Sequence, residues 1–400
     1  MLVINGKIYT ADDSAGVIEN GFFTVENGVF GKIGAMKNGV PKCCGEKEVL
    51  DLKGAMVFPG FVDGHTHLGM WEDAMGFEGD DGNEETDPVT PQLRAIDSIN
   101  PMDRCFEDAW RAGVTTVVTG PGSANAIGGQ MLAMKTFGKR IDHMVLRAPL
   151  AIKMALGENP KSVYHEKNQA PNTRMATVSL IRENLFKAKR YLEEKRKAEE
   201  KPEDYDPPEW DMKCEALIPL LEKKIKAHIH CHRADDIFSA IRIAEEFDFD
   251  YVLIHGTEGG MIADELGSMQ AKVFFGPVLC DRSKPELKHL DPAAAAELDR
   301  NGVEISIITD HSVVPIQYLA LCAGIAVAEG LPEEKALKGI TIYPARACGL
   351  EDRIGSIIPG KDADFSVFRE NPFHVVGAKP EWVSVNGRIR LGGQAAEDKK

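Results

Sequence analysis

Between residues 57 and 350 short apolar runs alternate with amphipathic stretches. TTVVTG, HMVLRAPLAI, KAHIHCH, YVLIHG, KVFFGP and EISIITD have the length and β-branched content of strands. PMDRCFEDAWRAG and DDIFSAIRIAEEF instead gather their apolar residues on one helical face. This alternation predicts parallel βα units in an α/β protein, and eight such units close a barrel of roughly 250 residues. An open doubly wound sheet is the competitor. The barrel is preferred because polar candidates lie at the ends of many strands, and a closed ring brings those ends to one mouth. A helical insertion is expected over about 158–215. There Leu180, Ile181, Leu185, Ala188 and Leu192 form one stripe, followed by a loop at Pro202 and Pro207-Pro208. The polar, proline-punctuated GENPKSVYHEKNQAPNTRMA before that stripe has the profile of an active-site loop.

The two ends of the chain follow a different pattern. Residues 1–56 read as strands, with turns expected at Asn5-Gly6 and Asn27-Gly28. ADFSVFRENP and EWVSVNGRIR, with Asn386-Gly387 between the last two strands, match them at the other end. One small β domain assembled from both termini is the expectation, giving segments 1–56, 57–350 and 351–400.

Candidate chemistry sits where strands end. Val57–Met70 reads as a buried strand, and residues two apart on a strand share a face. His65 and His67 therefore project together, ready to share one metal ion. Lys153 lies near the end of an apolar strand, where a charged amine is costly. The neutral amine would then be available to add CO2 and bridge two metals as a carbamate, or to serve as a polar group. His228, His230 and His232 share a face, with His228 deepest and expected to pack. Cys231 should face away from them. His255 and the pair Asp310-His311 end further strands.

Nitrogen and carboxylate donors without thiolate suit Zn2+, with Mn2+ or Fe2+ as alternatives, and one or two ions are open. Zinc lowers the pKa of its water to roughly 7. Asp310 is the candidate to take that water's proton and pass it to a leaving nitrogen. His255 or His232 would polarise the carbonyl or hold its developing charge. Tyr164, His165 and Arg174 are candidates to bind a substrate carboxylate, with Trp71 and Glu72 lining the mouth. Gly120 to Gly129 is glycine-rich but lacks the Gly-Lys-Ser/Thr of a phosphate loop, so it should let backbone approach the pocket. His143, His289 and His374 read as structural.

The net charge of −15 argues against nucleic acid or an anionic membrane as partner and leaves a small molecule. No apolar run reaches membrane-spanning length, so the cytoplasm is expected. The eight cysteines include no CxxC pair; Cys43 and Cys44 are adjacent, which suits neither a mutual disulfide nor a zinc knuckle. They are read as small buried hydrophobes. A homo-oligomer is compatible with a chain of this size.

Pro59-Gly60-Phe61-Val62-Asp63-Gly64-His65-Thr66-His67 resembles the signature of the amidohydrolase superfamily. The later order Lys153, His230, His255, Asp310 resembles the remaining ligand set of that superfamily, and SIIPGKDADF (356–365, beginning at Ser356) its return to the small domain. The resemblance runs over essentially the whole chain and is nearest to imidazolonepropionase-like enzymes and metal-dependent dipeptidases. It implies a distorted (β/α)8 TIM barrel with a composite β-sandwich. It also implies His65, His67, His230 and His255 as metal ligands, Asp310 as ligand and general base, and Lys153 as a carboxylated bridge where two metals bind. His230 is preferred over His232 as ligand, with His232 touching substrate. The implied activity is hydrolysis of a C–N amide bond in a dipeptide or N-acyl amino acid-like molecule, with a cyclic amide or imide as the alternative. A non-catalytic barrel is the competing class, disfavoured by the complete donor set.

Overall fold

A computed structural model describes residues 1–37 and 48–392. The adjacent Cys43 and Cys44 lie outside the described residues. The N-terminal stretch forms β1 (Leu2–Tyr9), β2 (Val17–Glu26), β3 (Val29–Ala35), β4 (Val49–Asp51) and β5 (Met56–Pro59). Eight strands then build a second sheet: β6 (Phe61–Thr66), β7 (Val114–Thr119), β8 (Ile127–Lys135), β9 (Val145–Ala155), β10 (Lys226–Cys231), β11 (Tyr251–His255), β12 (Lys272–Phe275) and β13 (Glu304–Ile307). The chain ends in β14 (Phe365–Phe368), β15 (Trp382–Val385) and β16 (Arg388–Leu391). The last three strands join the first five in one sheet, ordered β16-β15-β14-β5-β1-β2-β3 with β4 beside β1. Its core is Phe23, Phe30, Val57 and Phe365, with edge-on ring contacts at 5.1–5.4 Å.

The apolar stretch before the His pair is therefore two strands. β5 pairs with β1 and β14 in the terminal sheet, and β6 pairs with β7 in the barrel. The chain crosses at Gly60, where a Cβ would stand 2.1 Å from Thr115 Oγ1. Asn5-Gly6 is a second difference from expectation. It lies inside β1 as a bulge, with Asn5 at φ +57°, because β1 runs on past it to pair with β5. Asn27-Gly28 does turn β2 into β3.

The barrel sheet runs in sequence order from β6 to β13 and is nearly closed. It is not uniformly parallel. β8 pairs antiparallel with both β7 and β9, a reversal made possible by the short Gly120–Ala126 link with no helix between. This glycine-rich segment thus leads into a strand that pattern reading had not separated from the loop. β6 and β13 are not paired as strands. Their junction is spanned by the buried Asp63 carboxylate, which accepts from His65 N (3.2 Å), Thr309 N (3.1 Å) and Thr309 Oγ1 (2.6 Å). Inside the ring Val62, Val118, Val252, Ile254 and Phe274 pack together. Phe274 occupies the space a side chain at 64 would need, 2.6 Å from the position of its Cβ, so Gly64 admits the ring to the centre.

Helices cover the outside. α1 (Arg104–Arg111) is capped by Asp103, which accepts from Cys105 N. The expected polar loop after β9 is instead largely helical: α2 (Glu158–Glu166) starts at once after Gly157. Its prolines fall at position 160, in the first turn, and at position 171, after its end, so neither breaks it. α3 (Arg174–Glu200) and α4 (Met212–Leu221) form the insertion. Ile181, Leu185, Ala188 and Leu192 of the predicted stripe are buried, and α3 stops before Pro202. α5 (Ala234–Phe247) follows β10, with Asp235 and Asp236 in its first turn where the helix dipole favours acids. No helix is long and apolar enough to cross a membrane among the described residues.

Candidate metal centre

The strands of the barrel bring six donors to its mouth in two groups. His65, His67 and Asp310 form one, and His230, His232 and His255 the other; in each, the donor atoms lie within 4.8 Å of one another. His65 and His67 leave β6 on one face, as period-two spacing requires, with ring centroids 5.1 Å apart. The ring of His255 is 6.0 Å from that of His65 and 4.5 Å from that of His230, so it stands between the groups. Both His255 and Asp310 occupy the left-handed region, at φ +74° and +51°. Such backbone is costly for residues with a Cβ and is held in place by its surroundings.

Backbone partners fix the tautomers. His67 Nδ1 donates to Gly120 O and His255 Nδ1 to Gly276 O, each at 2.7 Å. Their Nε2 atoms are therefore bare lone pairs pointing into the site. His230 Nδ1 bonds Ser123 Oγ at 2.9 Å and His232 Nδ1 bonds Thr257 Oγ1 at 2.7 Å. Asp310 Oδ1 lies 3.3 Å from His67 Nε2 and 3.5 Å from His65 Nε2. Donors sharing one small tetrahedral ion stand about 3.3 Å apart, so these spacings fit a cation. His65 Nδ1, His230 Nε2 and Asp310 Oδ1 have no hydrogen-bond partner although buried. His230 Nε2 and Asp310 Oδ1 are thus free acceptors at the mouth, the kind of atom a cation coordinates.

Electrostatics agree with neutral, ligand-ready imidazoles. Burial, with neighbouring Lys153, holds His65 well below its ordinary value, and burial with His255 does the same to His230. Burial lowers His255 to about 4, against an opposing pull from Asp310. Burial raises the Asp310 carboxyl, but His255, His67 and Lys153 outweigh it and hold the acid ionised. Lys153 is fully buried 3.0 Å from His65 Nε2, and burial lowers its amine to about 8.

His228 lies deeper, packed edge-on to Phe274 at 5.5 Å, and Cys231 is buried with its thiol on its own strand's Ile229 O. The five other described cysteines are buried or half-buried. Trp71 lines the cavity, its ring 4.7 Å from His67. The three expected carboxylate binders part from the site, and His165 is exposed with its Nδ1 2.6 Å from Asn172 Oδ1. Tyr164 is fully buried behind it, donating to Asn125 Oδ1 at 2.6 Å. Arg174 points to a separate cavity and pairs with Asp235 and Asp236 at the start of α5, because α2 carries the chain away from the mouth. His232 is part of the nitrogen cluster, its ring stacked 4.3 Å from that of His255. Two polar residues of the loop after β12 were missed in the sequence: Glu286, 3.5 Å from His230 Nε2 and 3.6 Å from His232 Nε2, and its partner Lys284. SKPEL offers no periodic signal that would have marked them.

Residues 56–390 match the family model described as "Amidohydrolase family". The chain superposes on an amidohydrolase from Thermotoga maritima MSB8 with a TM-score of 0.92 at 41% identity, covering 98% of this chain and 100% of that one. It is 29% identical over 368 residues to amidohydrolase tasK of Hapsidospora irregularis, across 86% of this chain; it spans only 37% of that longer relative. It is 23% identical to the imidazolonepropionase of Mesorhizobium japonicum, across 93% of both chains.

Proposed function

The chain belongs to the amidohydrolase family, hydrolases of carbon–nitrogen bonds, and from that premise we propose that it is a metal-dependent hydrolase cleaving the amide bond of a small molecule such as a dipeptide or N-acyl amino acid. His65, His67, His230, His255 and Asp310 would hold the metal, with Zn2+ preferred by the donor chemistry and Mn2+ or Fe2+ as alternatives. Where a second ion binds, a carboxylated Lys153 would bridge the two, and its lowered amine favours that addition. When bound, the ion supplies Lewis acidity at the substrate carbonyl and acidifies water.

The protein's own residues do the rest. Asp310 accepts a proton from the attacking water and delivers it to the leaving nitrogen, a role suited to an ionised acid at the mouth. His232, held by Thr257, faces the carbonyl and steadies its developing charge. Trp71 bounds the opening. The sheet built from both termini is read as the composite sandwich domain that carries the barrel, with segments 1–56 and 351–400 as its halves and the barrel over 57–350. The same reading puts the chain in the cytoplasm, where its size is compatible with a homo-oligomer.

The observation that carries this reading is the meeting of His67 Nε2 and Asp310 Oδ1 at 3.3 Å, an arrangement that a cation between them would satisfy. The test is turnover of dipeptides, N-acyl amino acids and cyclic ureides by metal-loaded protein, alongside metal analysis of protein purified without chelator. Failure to bind any transition metal would reject the reading. Selective cleavage of cyclic ureides would favour the alternative, a cyclic amide hydrolase, to which the imidazolonepropionase similarity points.

A further inference from the structure

The cavity over the metal centre has a volume of about 860 Å³, and among its described lining residues Lys284 is the one lysine or arginine. Its ammonium is held, not free. Nζ donates to Asn159 Oδ1 at 2.8 Å and lies 2.7 Å from Glu286 Oε1. Glu286 is buried and does not itself line the cavity; its Oε1 lies between Lys284 and the Nε2 atoms of His230 and His232. It is itself fixed by a reciprocal clasp: Glu158 N donates to Glu286 Oε2 at 3.1 Å, and Glu286 N donates to Glu158 Oε2 at 3.0 Å. The start of α2 and the loop after β12 are thereby tied together beneath one cationic head.

Of the ammonium's three protons Asn159 Oδ1 takes one, and Glu286 Oε1 pairs with its charge at 2.7 Å. Donor capacity is left for the cavity, on a side chain whose position is set before any ligand arrives; such preorganisation reduces the entropy lost on binding. Three acids line the same cavity. Glu85 pairs with Lys167 at 2.7 Å, and Asp281 accepts from Arg282 N at 2.7 Å. Asp310 faces the histidines.

We propose that Lys284 takes an anionic group of the substrate, so that the amide cleaved belongs to a molecule carrying a carboxylate, as in an N-acyl amino acid or the C-terminal residue of a dipeptide. This rests on the amide-hydrolase reading above. It moves substrate-carboxylate recognition from Arg174, which faces another cavity, to the loop after β12.

Calorimetric titration of the full-length, metal-loaded protein with N-acetyl amino acids and with their carboxamides, alongside turnover of both sets, tests this. Wild type should bind the acids at least about tenfold more tightly than the amides. Lys284→Met should bring that ratio towards one, and Lys284→Arg should keep most of it. Should Lys284→Met not fold, a salt titration of wild type replaces it: acid binding should weaken with salt more than amide binding. A ratio near one in wild type, or one untouched by Lys284→Met, overturns the assignment. The two proposals fail separately. An acid preference that depends on Lys284 without cleavage of any linear amide rejects the reaction and keeps the recognition. Cleavage of acids and amides alike with equal affinity does the reverse.

Discussion

The two donor groups at the barrel mouth are built differently. His230 and His255 stand on β10 and β11, adjacent strands locked in parallel register, with His232 one residue past β10, and all three are imidazoles. His65, His67 and Asp310 lie on either side of the one barrel junction without strand pairing, and include a carboxylate. Neutral imidazoles can hold a cation but have no charge to offset it. The acid-bearing group can both neutralise a cation and accept a proton, at the cost of a less firmly hydrogen-bonded wall. The division suggests that affinity comes mainly from the nitrogen side and proton transfer from the acid side.

Removing the acid is the sharpest way to break that contrast. Asp310→Asn should lower kcat at least about a hundredfold, since a positioned general base is worth roughly 10²–10⁴. A loss under tenfold would remove Asp310 from the chemistry. His255→Ala should come next, weakening metal binding by at least about tenfold in chelator competition, as loss of a donor set by a backbone carbonyl should. If His65→Ala costs clearly more affinity than His255→Ala, the assignment of affinity to the nitrogen side is wrong.

Acid titration of the metal-free protein separates the groups by sign. His230, His232 and His255 stay neutral in the fold, so nothing is gained or lost above pH 6.5. Below it the unfolded chain takes up protons that the native state refuses, and stability falls towards pH 4. The slope is about 1.4 kcal/mol per pH unit for each such histidine, His65 included. The depressed Asp310 carboxyl adds stability above pH 3.8 and loses it only below that. Denaturant midpoints between pH 7.5 and 4.5 should therefore fall throughout the lower half of the range; a flat profile would mean the imidazoles charge freely. A smaller effect is expected for bicarbonate. If Lys153 is carboxylated, activity should rise several-fold with added bicarbonate, and Lys153→Met should abolish that response. Smallest of all, Arg174→Ala should change kcat/KM by less than about twofold, since Arg174 and its partners Asp235 and Asp236 lie on another cavity.

Pattern reading picked out residues that the fold gathers because strand ends announce themselves: an apolar run followed by His or Asp is a local signal, and period two decides who shares a face. It gave the terminal sheet for the same reason. It failed where tertiary pairing overrides local signals. The antiparallel β8 was hidden in a glycine-rich segment, and Asn5-Gly6 was absorbed into β1. α2 formed despite two nearby prolines because they flank its hydrogen-bonded turns. Lys284 and Glu286 lie in a loop without periodicity, and only their contacts with the start of α2 distinguish them. Whether His230 or His232 is the ligand was open in the sequence, and both stand within reach of His255.

Asp63 spans the gap between β6 and β13 with one carboxylate where other neighbours in the ring share ladders of backbone bonds. An ion gripped by His65, His67 and Asp310 would straddle that same gap. Occupancy would then act as a mechanical rivet, and amide hydrogens flanking it, at Val62 to Thr66 and at Ile307 to Thr309, should exchange with solvent faster once the ion is stripped.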